Sequence, residues 1–356
     1  MKHIVKVESL ENLPETRPIV AIDENKNIKW LAKPYTLTFI NTNGDYNWNN
    51  PNNWDLKKVP SIIDTAIIDA SVNISNKAKC NSLIIDSSSA IVSILPTGGL
   101  TVGKDGISGA SIDNLILKAG TEGVTKGQTG YLRISPEYTG EMHEATVELF
   151  SIGYYDMNSE EENSSKWQYV GIPIETNALA KTFFKTSWIY SWIEEHSEWK
   201  NNRSTLIMKP FEGYTTTQFR FEDGILITFN NGQLITNENT LINLSYTETA
   251  PSPGSNILAN SFMSPIDITK FKPSDFINAE PLIRIRYTGS TESSIHYDID
   301  ITTEEGIKAQ LDNYNIPYVI PAMQGFEVFA TGPDAKLILD YERLVWNNPY
   351  PNIPLY

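Results

Sequence analysis

The residues whose spacing best suits chemistry are two aspartates in a predicted strand, Asp298 and Asp300. Side chains two positions apart on a strand point to the same face, so the two carboxylates would lie side by side. Such a pair could serve a glycosidase or hold a calcium ion. Because the aspartates alternate with Tyr297 and Ile299, the ordinary pattern of a half-exposed strand, we favour a structural interpretation.

The histidines and the single cysteine show no catalytic or metal-binding pattern. No two histidines have the His-x-x-x-His spacing of a zinc site, and we interpret each as a surface or strand residue. The four are His3, His143, His196 and His296. Cys80 has no histidine close in sequence and no second cysteine to pair with, so we interpret it as a small buried residue.

Other familiar motifs are also missing from the sequence. It contains neither a Gly-x-Ser-x-Gly motif nor a phosphate-binding loop. The acidic run at residues 160–162 could bind a cation, but consecutive glutamates more often form a solvated loop, which we favour. We therefore predict that the chain is not an enzyme, with no catalytic residue, no cofactor and no metal ion.

Five tryptophans are the candidate ligand-binding or packing residues. Trp48 and Trp54 lie six positions apart and would face the same side of an extended chain. We interpret them as a hydrophobic plug on the open end of a β stack, because a terminal coil has no neighbour; the alternative is a platform for sugar rings. Trp188, Trp192 and Trp199, taken with the aspartate pair, raise the same alternative of a glycan-binding or glycan-cleaving module.

Composition and charge narrow the class of partner. The chain has 356 residues, with 28 Lys plus Arg and 43 Asp plus Glu, which gives a net charge of −15. An acidic surface repels phosphate backbones and anionic lipids, so we expect no nucleic-acid partner. The sequence shows no apolar run long enough for a signal peptide or for a membrane span.

A short apolar pattern recurs through residues 46–150. The bursts begin 17, 17, 15 and 17 residues apart, with turn-forming residues between them. They are Ala66-Ile67-Ile68, Leu83-Ile84-Ile85, Leu100-Thr101-Val102, Leu115-Ile116-Leu117 and Leu132-Arg133-Ile134. Short strands at near-even spacing are typical of a coiled β stack or a β-sandwich, and we predict a β-solenoid-like repeat module here.

The predicted architecture is all-β and has three parts. Residues 1–45 form a short arm of strands, a candidate docking segment that pairs as a meander or adds to the sheet edge of a neighbouring chain. The alternative is an ordinary strand layer on the next domain. Residues 46–150 form the repeat module. Residues 151–356 form an antiparallel β-sandwich or jelly-roll-like domain, in which residues 184–199 are the one predicted helical or irregular insertion. The strand candidates outside the repeat module are 4–7, 19–22, 35–40, 167–172, 204–208, 217–221, 225–229, 283–287, 297–301, 325–330 and 336–339.

Several motifs occur in an order that resembles a known family. They are Trp48-Asn49-Asn50-Pro51-Asn52-Asn53-Trp54, Val59-Pro60-Ser61, and the segments at 167–173, 209–214, 256–267 and 320–328. In this order they resemble secreted surface proteins of the Bacteroidetes, over most of residues 46–345. The resemblance implies an adhesive or structural role rather than a reaction.

The sequence also departs from that family. Its members carry a signal peptide and usually a C-terminal sorting domain of the type IX secretion route, and this sequence shows neither. Virions assemble inside the host and leave by lysis, so their proteins need no export signal. We therefore predict a structural or adhesion protein on a bacteriophage virion surface, as a head fibre, capsid decoration or tail appendage. Its expected partners are other virion proteins or cell-surface components, with a host glycan as a candidate ligand and a homo-oligomeric state. The alternative is a cell-surface or secreted bacterial adhesin module.

Overall fold

The computed structural model describes residues 19–22, 28–31, 33–141, 143–153, 166–218, 224–235, 239–286 and 296–345. It is 43% strand and 12% helix, with the strands arranged in several sheets. The predicted all-β class is therefore confirmed. The strand candidate at 4–7, the acidic run at 160–162 and His3 lie outside the described residues.

Residues 19–151 form a hairpin followed by two sheets, and from Thr65 onward the chain alternates between these two sheets. The strands are β1 (Ile19–Ile22), β2 (Ile28–Leu31), β3 (Thr36–Phe39), β4 (Thr65–Ile68), β5 (Val72–Ile74), β6 (Lys77–Ile85), β7 (Val92–Ile94), β8 (Gly99–Ser108), β9 (Leu115–Leu117), β10 (Tyr131–Ile134) and β11 (Thr146–Ser151). Strands β1 and β2 pair as an antiparallel hairpin. Strands β3, β4, β6, β8 and β10 run parallel in one sheet, and β5, β7, β9 and β11 run parallel in the other. We call this arrangement the parallel stack.

Inward-facing aliphatic side chains form ladders along the parallel stack. Val72, Val92 and Leu115 lie side by side in register, and each is at most 1% exposed. The intervening positions in these strands are half-buried, as expected for strands with one face on a core. Burying one such side chain contributes about 1.5–3 kcal/mol, so the ladders are a major source of the stability of the stack.

The predicted even spacing does not correspond to one ladder. Leu83 lies beside Ala66, 17 residues earlier, but Leu100 lies beside Ala78, 22 residues earlier. Leu115 belongs to the second sheet. The reason is that β6 and β8 are long strands. The second half of β6, which contains Leu83, pairs with β4, whereas the first half of β6 pairs with the first half of β8, which contains Leu100. The bursts are strands, as predicted, but their spacing mixes separate ladders.

The rest of the chain forms short strands that pair in antiparallel fashion. They are β12 (Gln168–Val170), β13 (Ile174–Glu175), β14 (Ser187–Ile193), β15 (Glu198–Asn201), β16 (Tyr214–Gln218), β17 (Ile225–Phe229), β18 (Gln233–Leu234), β19 (Thr240–Asn243), β20 (Ser255–Ala259), β21 (Ile266–Asp267), β22 (Phe276–Ile277), β23 (Leu282–Arg286), β24 (His296–Asp300), β25 (Val319–Ile320), β26 (Gly325–Phe329) and β27 (Lys336–Leu339). The α-helices are α1 (Ala180–Phe183), α2 (Glu304–Tyr314) and α3 (Tyr341–Leu344), and 3-10 turns span Pro51–Asn53, Gly123–Thr125, Glu194–His196, Ile268–Lys270 and Pro273–Asp275.

Two four-stranded sheets from this region position the candidate site. Their strand orders are β12-β16-β14-β15 and β20-β26-β23-β24. The sheets are joined by backbone hydrogen bonds, since the Gly213 N–H donates to the Ile257 carbonyl at 2.8 Å and the Gly171 N–H donates to the Met323 carbonyl at 2.9 Å. A Cβ on Gly171 would lie 2.2 Å from the Ala259 Cβ, so this close approach requires glycine.

The predicted helical or irregular insertion at 184–199 is wrong. Strands β14 and β15 form an antiparallel hairpin in which Trp192 lies beside Trp199. The hairpin turns through the 3-10 segment Glu194–His196 and through Ser197, which adopts φ of +49°. The strand candidate at 204–208 is also wrong, because this described segment contains an isolated bridge at Ile207 and no strand.

Later segments cover the C-terminal end of the parallel stack. Strand β17 pairs antiparallel with β11, the last strand of the second sheet. Next to β10, the last strand of the first sheet, the Leu132 N–H donates to the Met263 carbonyl at 2.8 Å. The Tyr341 hydroxyl bonds to the backbone of Ile134 on the same strand. The exposed edge that a parallel stack would otherwise present is therefore paired within the chain.

The buried apolar side chains fall into two clusters. One extends from Leu37 to Leu234 and also includes Met263 and Met323, and the other extends from residue 211 to residue 345. Strand pairs cross both predicted domain boundaries, since β3 joins the stack from within residues 1–45 and β17 joins it from within residues 151–356. The boundaries at 45 and 150 stay predictions.

Candidate functional site

Two of the five predicted tryptophans lie in the core at the N-terminal end of the parallel stack. Trp48 and Trp54 are 0% and 1% exposed, and their rings meet edge to face with centroids 4.9 Å apart. Trp54 Nε1 donates to the Trp48 carbonyl at 2.8 Å, and its ring packs against Phe39. The intervening Pro51–Asn53 segment is a 3-10 turn, so the expected extended chain between the rings is wrong. In this arrangement both rings are packed inside and present no face to a ligand.

The other three predicted tryptophans share one face of the sheet β12-β16-β14-β15. Trp188 and Trp192 lie four positions apart on β14, and Trp199 lies directly beside Trp192 on β15. All three are half-buried, whereas Ile189 on the opposite face is 0% exposed. The structure therefore brings these three side chains to one surface, because alternate residues of a strand point the same way.

Three further aromatic residues, which sequence reasoning missed, complete this face. Tyr169 on β12 and Tyr190 on β14 both lie beside Thr215 of the central strand β16, so they occupy one row. The Trp167 ring packs edge-on against Tyr190, with centroids 5.2 Å apart. The sequence did carry a sign of this face, since aromatic residues alternate at 167 and 169 and at 188, 190 and 192.

Contacts among the rings hold the part of the face that adjoins the second sheet. The Trp192 and Trp199 centroids are 5.3 Å apart, and the Trp199 and Tyr169 centroids are 5.5 Å apart. Trp192 Nε1 donates to the Ser255 carbonyl at 2.8 Å. The Arg286 guanidinium lies 5.0 Å from the Tyr169 ring centroid. Edge-on aromatic contacts and a cation above a ring are each favourable, so these side chains are held in place before any ligand arrives.

The second sheet places a row of charged side chains beside these rings. Arg284 on β23 lies between Glu327 on β26 and Asp298 on β24. Its guanidinium makes two hydrogen bonds to the Asp298 carboxylate, at 2.6 and 2.9 Å, and lies 3.6 Å from Glu327 Oε2. Ser255 Oγ donates to Glu327 Oε1 at 2.6 Å. Two parallel bonds fix the plane of the Arg284–Asp298 pair.

The surroundings shift the pKa values of the Glu327 and Asp298 carboxyl groups in opposite directions. Burial raises the pKa of Glu327, and this effect outweighs the Ser255 hydrogen bond and the nearby Arg284 charge. The hydrogen bonds from Arg284 hold the pKa of Asp298 below its usual value. The Glu327 side chain is 11% exposed and that of Asp298 is 45% exposed. Asp298 is therefore the carboxylate that a ligand can reach.

Seven residues define what we call the aromatic–ionic face. They are Tyr169, Trp192, Trp199, Arg284, Arg286, Asp298 and Glu327. Trp192 also lines a neighbouring groove of about 500 Å³ with Glu212 and Tyr214. The face combines fixed apolar ring surfaces with fixed donors and acceptors, a combination suited to a ligand that has apolar faces and a polar rim.

The predicted aspartate pair is divided between two environments. Asp298 and Asp300 share a face of β24, as predicted, since the intervening Ile299 is 0% exposed. Asp298 pairs with Arg284, whereas the backbone of Asp300 bonds to the Gln310 side chain on α2. Of the two aspartates, only Asp298 belongs to the aromatic–ionic face. There it lies beside Arg284 on β23, which also contacts Glu327 on β26.

The histidines and the cysteine lie on separate segments. His143 precedes β11, His196 is in the turn after β14 and His296 begins β24. Cys80 is buried in the first sheet of the stack, and burial, with the charge of Asp64, raises the pKa of its thiol, which disfavours the nucleophilic thiolate. Across the described ranges, no group of three or more His, Cys, Asp or Glu side chains is placed to hold a metal ion.

No protein-family model, curated protein or solved structure matches this chain. Among the helices that the structure describes, none combines the length and the apolar character needed to cross a bilayer.

Proposed function

We propose that the chain is a non-enzymatic structural or adhesion protein displayed on a particle surface. The particle is a bacteriophage virion, of which the chain is a head fibre, a capsid decoration or a tail appendage. In this proposal the parallel stack is a β-solenoid-like stem, and the antiparallel strands form a β-sandwich-like head that carries the aromatic–ionic face. The observation that carries the proposal is the closure of both ends of the stack by the same chain.

This closure supports a stem and head that move as one unit. At the N-terminal end, Trp48 and Trp54 fill the first turn of the stack. At the other end, Met263 and Tyr341 bond to strand β10, and Met263 belongs to the same buried cluster as the stack. Units joined only by small polar contacts move relative to one another, whereas a shared apolar core holds them together. Such stiffness is what a display protein needs to hold a binding face away from its support.

Exposed apolar side chains concentrate at the N-terminal end of the stack. Five of the twelve large apolar residues that are exposed in the described chain fall within residues 40–63, and each is 38–53% exposed. They are Ile40, Tyr46, Leu56, Ile62 and Ile63, which we call the N-terminal patch. A part of the molecule that exposes several large apolar side chains is a candidate interaction surface. The patch follows the β1–β2 hairpin in the chain, which supports attachment to the particle at this end.

A bacterial cell-surface or secreted adhesin module is the second candidate. The order of motifs that begins at Trp48 and Trp54 favours it, and the same stem and head would suit it. The genomic neighbourhood distinguishes the two. Capsid and portal genes beside this gene support the virion, whereas a signal peptide encoded upstream and a sorting domain downstream support the adhesin.

Mass spectrometry of purified virions tests the proposal. We expect the chain in a fixed copy ratio to the major capsid protein, retained through density-gradient purification. The double substitution Leu56→Ser with Ile62→Ser should lower that ratio, because it removes apolar area from the N-terminal patch. The matched control Val124→Ser, at a side chain that is 84% exposed outside the patch, should leave it unchanged. Virions that lack the chain would contradict the proposal.

A further inference from the structure

We propose that the aromatic–ionic face binds a neutral glycan, with a sugar ring stacked on Trp199 and its hydroxyls bonded to Arg286 and Asp298. The assignment rests on the proposed function, since it names the ligand class of the displayed head. It concerns binding alone and includes no bond cleavage.

The aromatic part of the face matches the apolar side of a sugar. Trp199 is half-buried and is held between Trp192 and Tyr169, with centroids 5.3 and 5.5 Å away. The ring therefore keeps a fixed orientation without a ligand, and binding costs little side-chain entropy. A pyranose has a flat face of C–H groups that can cover such an indole, and this burial of apolar surface is favourable.

The polar part of the face matches the hydroxyl rim of a sugar. The Asp298 carboxylate is 45% exposed, and its position is fixed by two bonds to Arg284. Arg286 is held over the Tyr169 ring, 5.0 Å from the centroid, and lies beside His296 on the neighbouring strand. Adjacent hydroxyls of a sugar can donate to the carboxylate and accept from the guanidinium, which are the stronger, charge-assisted kind of hydrogen bond.

A protein partner fits this face less well. The centre of a protein–protein interface is enriched in Trp, Tyr and Arg but depleted of Asp and Glu. Here two arginines and two carboxylates stand directly beside the rings, and Arg284 contacts both carboxylates. Covering them with an apolar protein surface would remove water from these charges without replacing its hydrogen bonds. A ligand covered in hydroxyls replaces those hydrogen bonds.

The charges of the face favour a neutral glycan over an anionic one. Arg284 and Arg286 offset Asp298 and Glu327, so the face carries no excess positive charge to attract an anion. The whole chain carries a net charge of −15, which repels sulfated or uronic polymers at a distance. Neutral sugars are not subject to this repulsion.

The neighbouring groove favours an oligosaccharide over a single sugar. The groove of about 500 Å³ adjoins the face at Trp192. Glu212 also lines it, with a side chain that is 48% exposed. A chain of sugars that extends from Trp199 past Trp192 would meet this carboxylate.

A glycan array with the full chain is the first test. The array carries neutral, sialylated and sulfated oligosaccharides, and we expect binding to neutral ones. Isothermal titration calorimetry with the strongest neutral oligosaccharide then measures the dissociation constant. Trp199→Ala, Arg286→Gln and Asp298→Asn should each weaken binding by about ten-fold, the loss expected for one stacked ring or one charge-assisted hydrogen bond.

Trp188→Ala is the matched control. Trp188 lies on the same sheet face as Trp192 but about 13 Å along the strand, so we expect its substitution to leave the dissociation constant within about two-fold of the wild type. Circular dichroism confirms that each variant is folded. Binding restricted to anionic glycans, absence of glycan binding, or unchanged affinity in folded Arg286→Gln and Asp298→Asn would overturn the inference. Because the purified chain is used, these results are independent of whether the chain is found in virions.

Discussion

The hydroxyl of Tyr341 bonds to both backbone groups of Ile134, a residue 207 positions earlier in the chain. The Ile134 N–H donates to the hydroxyl at 3.2 Å, and the hydroxyl donates to the Ile134 carbonyl at 3.0 Å. One side chain therefore supplies the partners that a further strand would have supplied to this residue of β10. Burial raises the pKa of Tyr341 to about 12, so the hydroxyl keeps its proton and both bonds at ordinary pH.

Tyr341→Phe should destabilise the protein by about 1–3 kcal/mol, because it leaves the buried backbone groups of Ile134 without their partner. Urea denaturation followed by fluorescence measures the change. Tyr314→Phe is the matched control, since Tyr314 is 39% exposed, and it should change the free energy of unfolding by less than about 0.5 kcal/mol. Equal effects of the two substitutions would show that the Tyr341 hydroxyl does not seal the stack.

Trp54→Ala should cost about 3–5 kcal/mol, because it opens a cavity beside Trp48 and Phe39 at the N-terminal end of the stack. Leu56→Ala, two residues away at a side chain that is 53% exposed, should stay within about 0.5 kcal/mol of the wild type. Chemical denaturation measures both. A loss below about 1 kcal/mol for Trp54→Ala would contradict the role of the two indoles as the packed end of the stack.

The contributions of Glu327 and Asp298 to the free energy of unfolding should depend on pH in opposite ways. The folded pKa of Glu327 is raised, so its contribution is greatest below the unfolded value, near 4.5, and is lost as pH rises through the folded pKa. The folded pKa of Asp298 is lowered, so its contribution is present above the unfolded value, near 3.8, and is lost as pH falls through the folded pKa.

Substitutions that remove each charge test these signs. In Glu327→Gln, the free energy of unfolding relative to the wild type should increase between pH 4.5 and pH 8, because the burial penalty of the ionised carboxylate is gone. In Asp298→Asn, the same difference should fall as pH rises from 3 towards 3.8, and it should then stay at its lowest value at higher pH. Denaturation curves over pH 3–8 give both trends. Differences that do not vary with pH would contradict them.

Gly99→Ala should destabilise the stack by about 1–3 kcal/mol, since a Cβ at Gly99 would lie 1.4 Å from the nearest Tyr131 ring atom and the ring must move. Gly99 lies beside Tyr131 in the parallel pair of β8 and β10, so the tyrosine ring covers the glycine. Gly332→Ala is the control, because no atom lies within 4 Å of the Cβ it would add. Thermal unfolding compares the two, and similar melting temperatures would contradict this packing.

Local patterns in the sequence predicted the features that depend on neighbouring residues alone. Alternation of apolar and polar residues was sufficient for the all-β class and for the shared face of Asp298 and Asp300. The hairpin at 184–199 was mispredicted because its turn uses Ser197 at φ of +49°, a conformation usually taken by Gly or Asn. Helix α2 was missed although Thr303 caps it by accepting from the Gly306 N–H.

Local sequence patterns could not predict which strands pair when the strands are far apart in the chain. The aromatic–ionic face needs Arg284 to lie between Asp298 and Glu327, and this order follows from the pairing of three strands that are separated in sequence. The register shift between β6 and β8 likewise occurs in a pairing of two strands that are separated in sequence. Strand partners are chosen by the burial of the whole sheet, so spacing within a short window carries little information about them.

Cryo-electron microscopy of purified virions tests the central claim most directly, because it shows both whether the chain is displayed and which end is attached. We predict density for the chain in which the N-terminal patch, including Leu56 and Ile62, contacts the virion, and in which Trp199 and Arg286 face outward. Virions without this density, or with the aromatic–ionic face buried against the particle, would contradict the account.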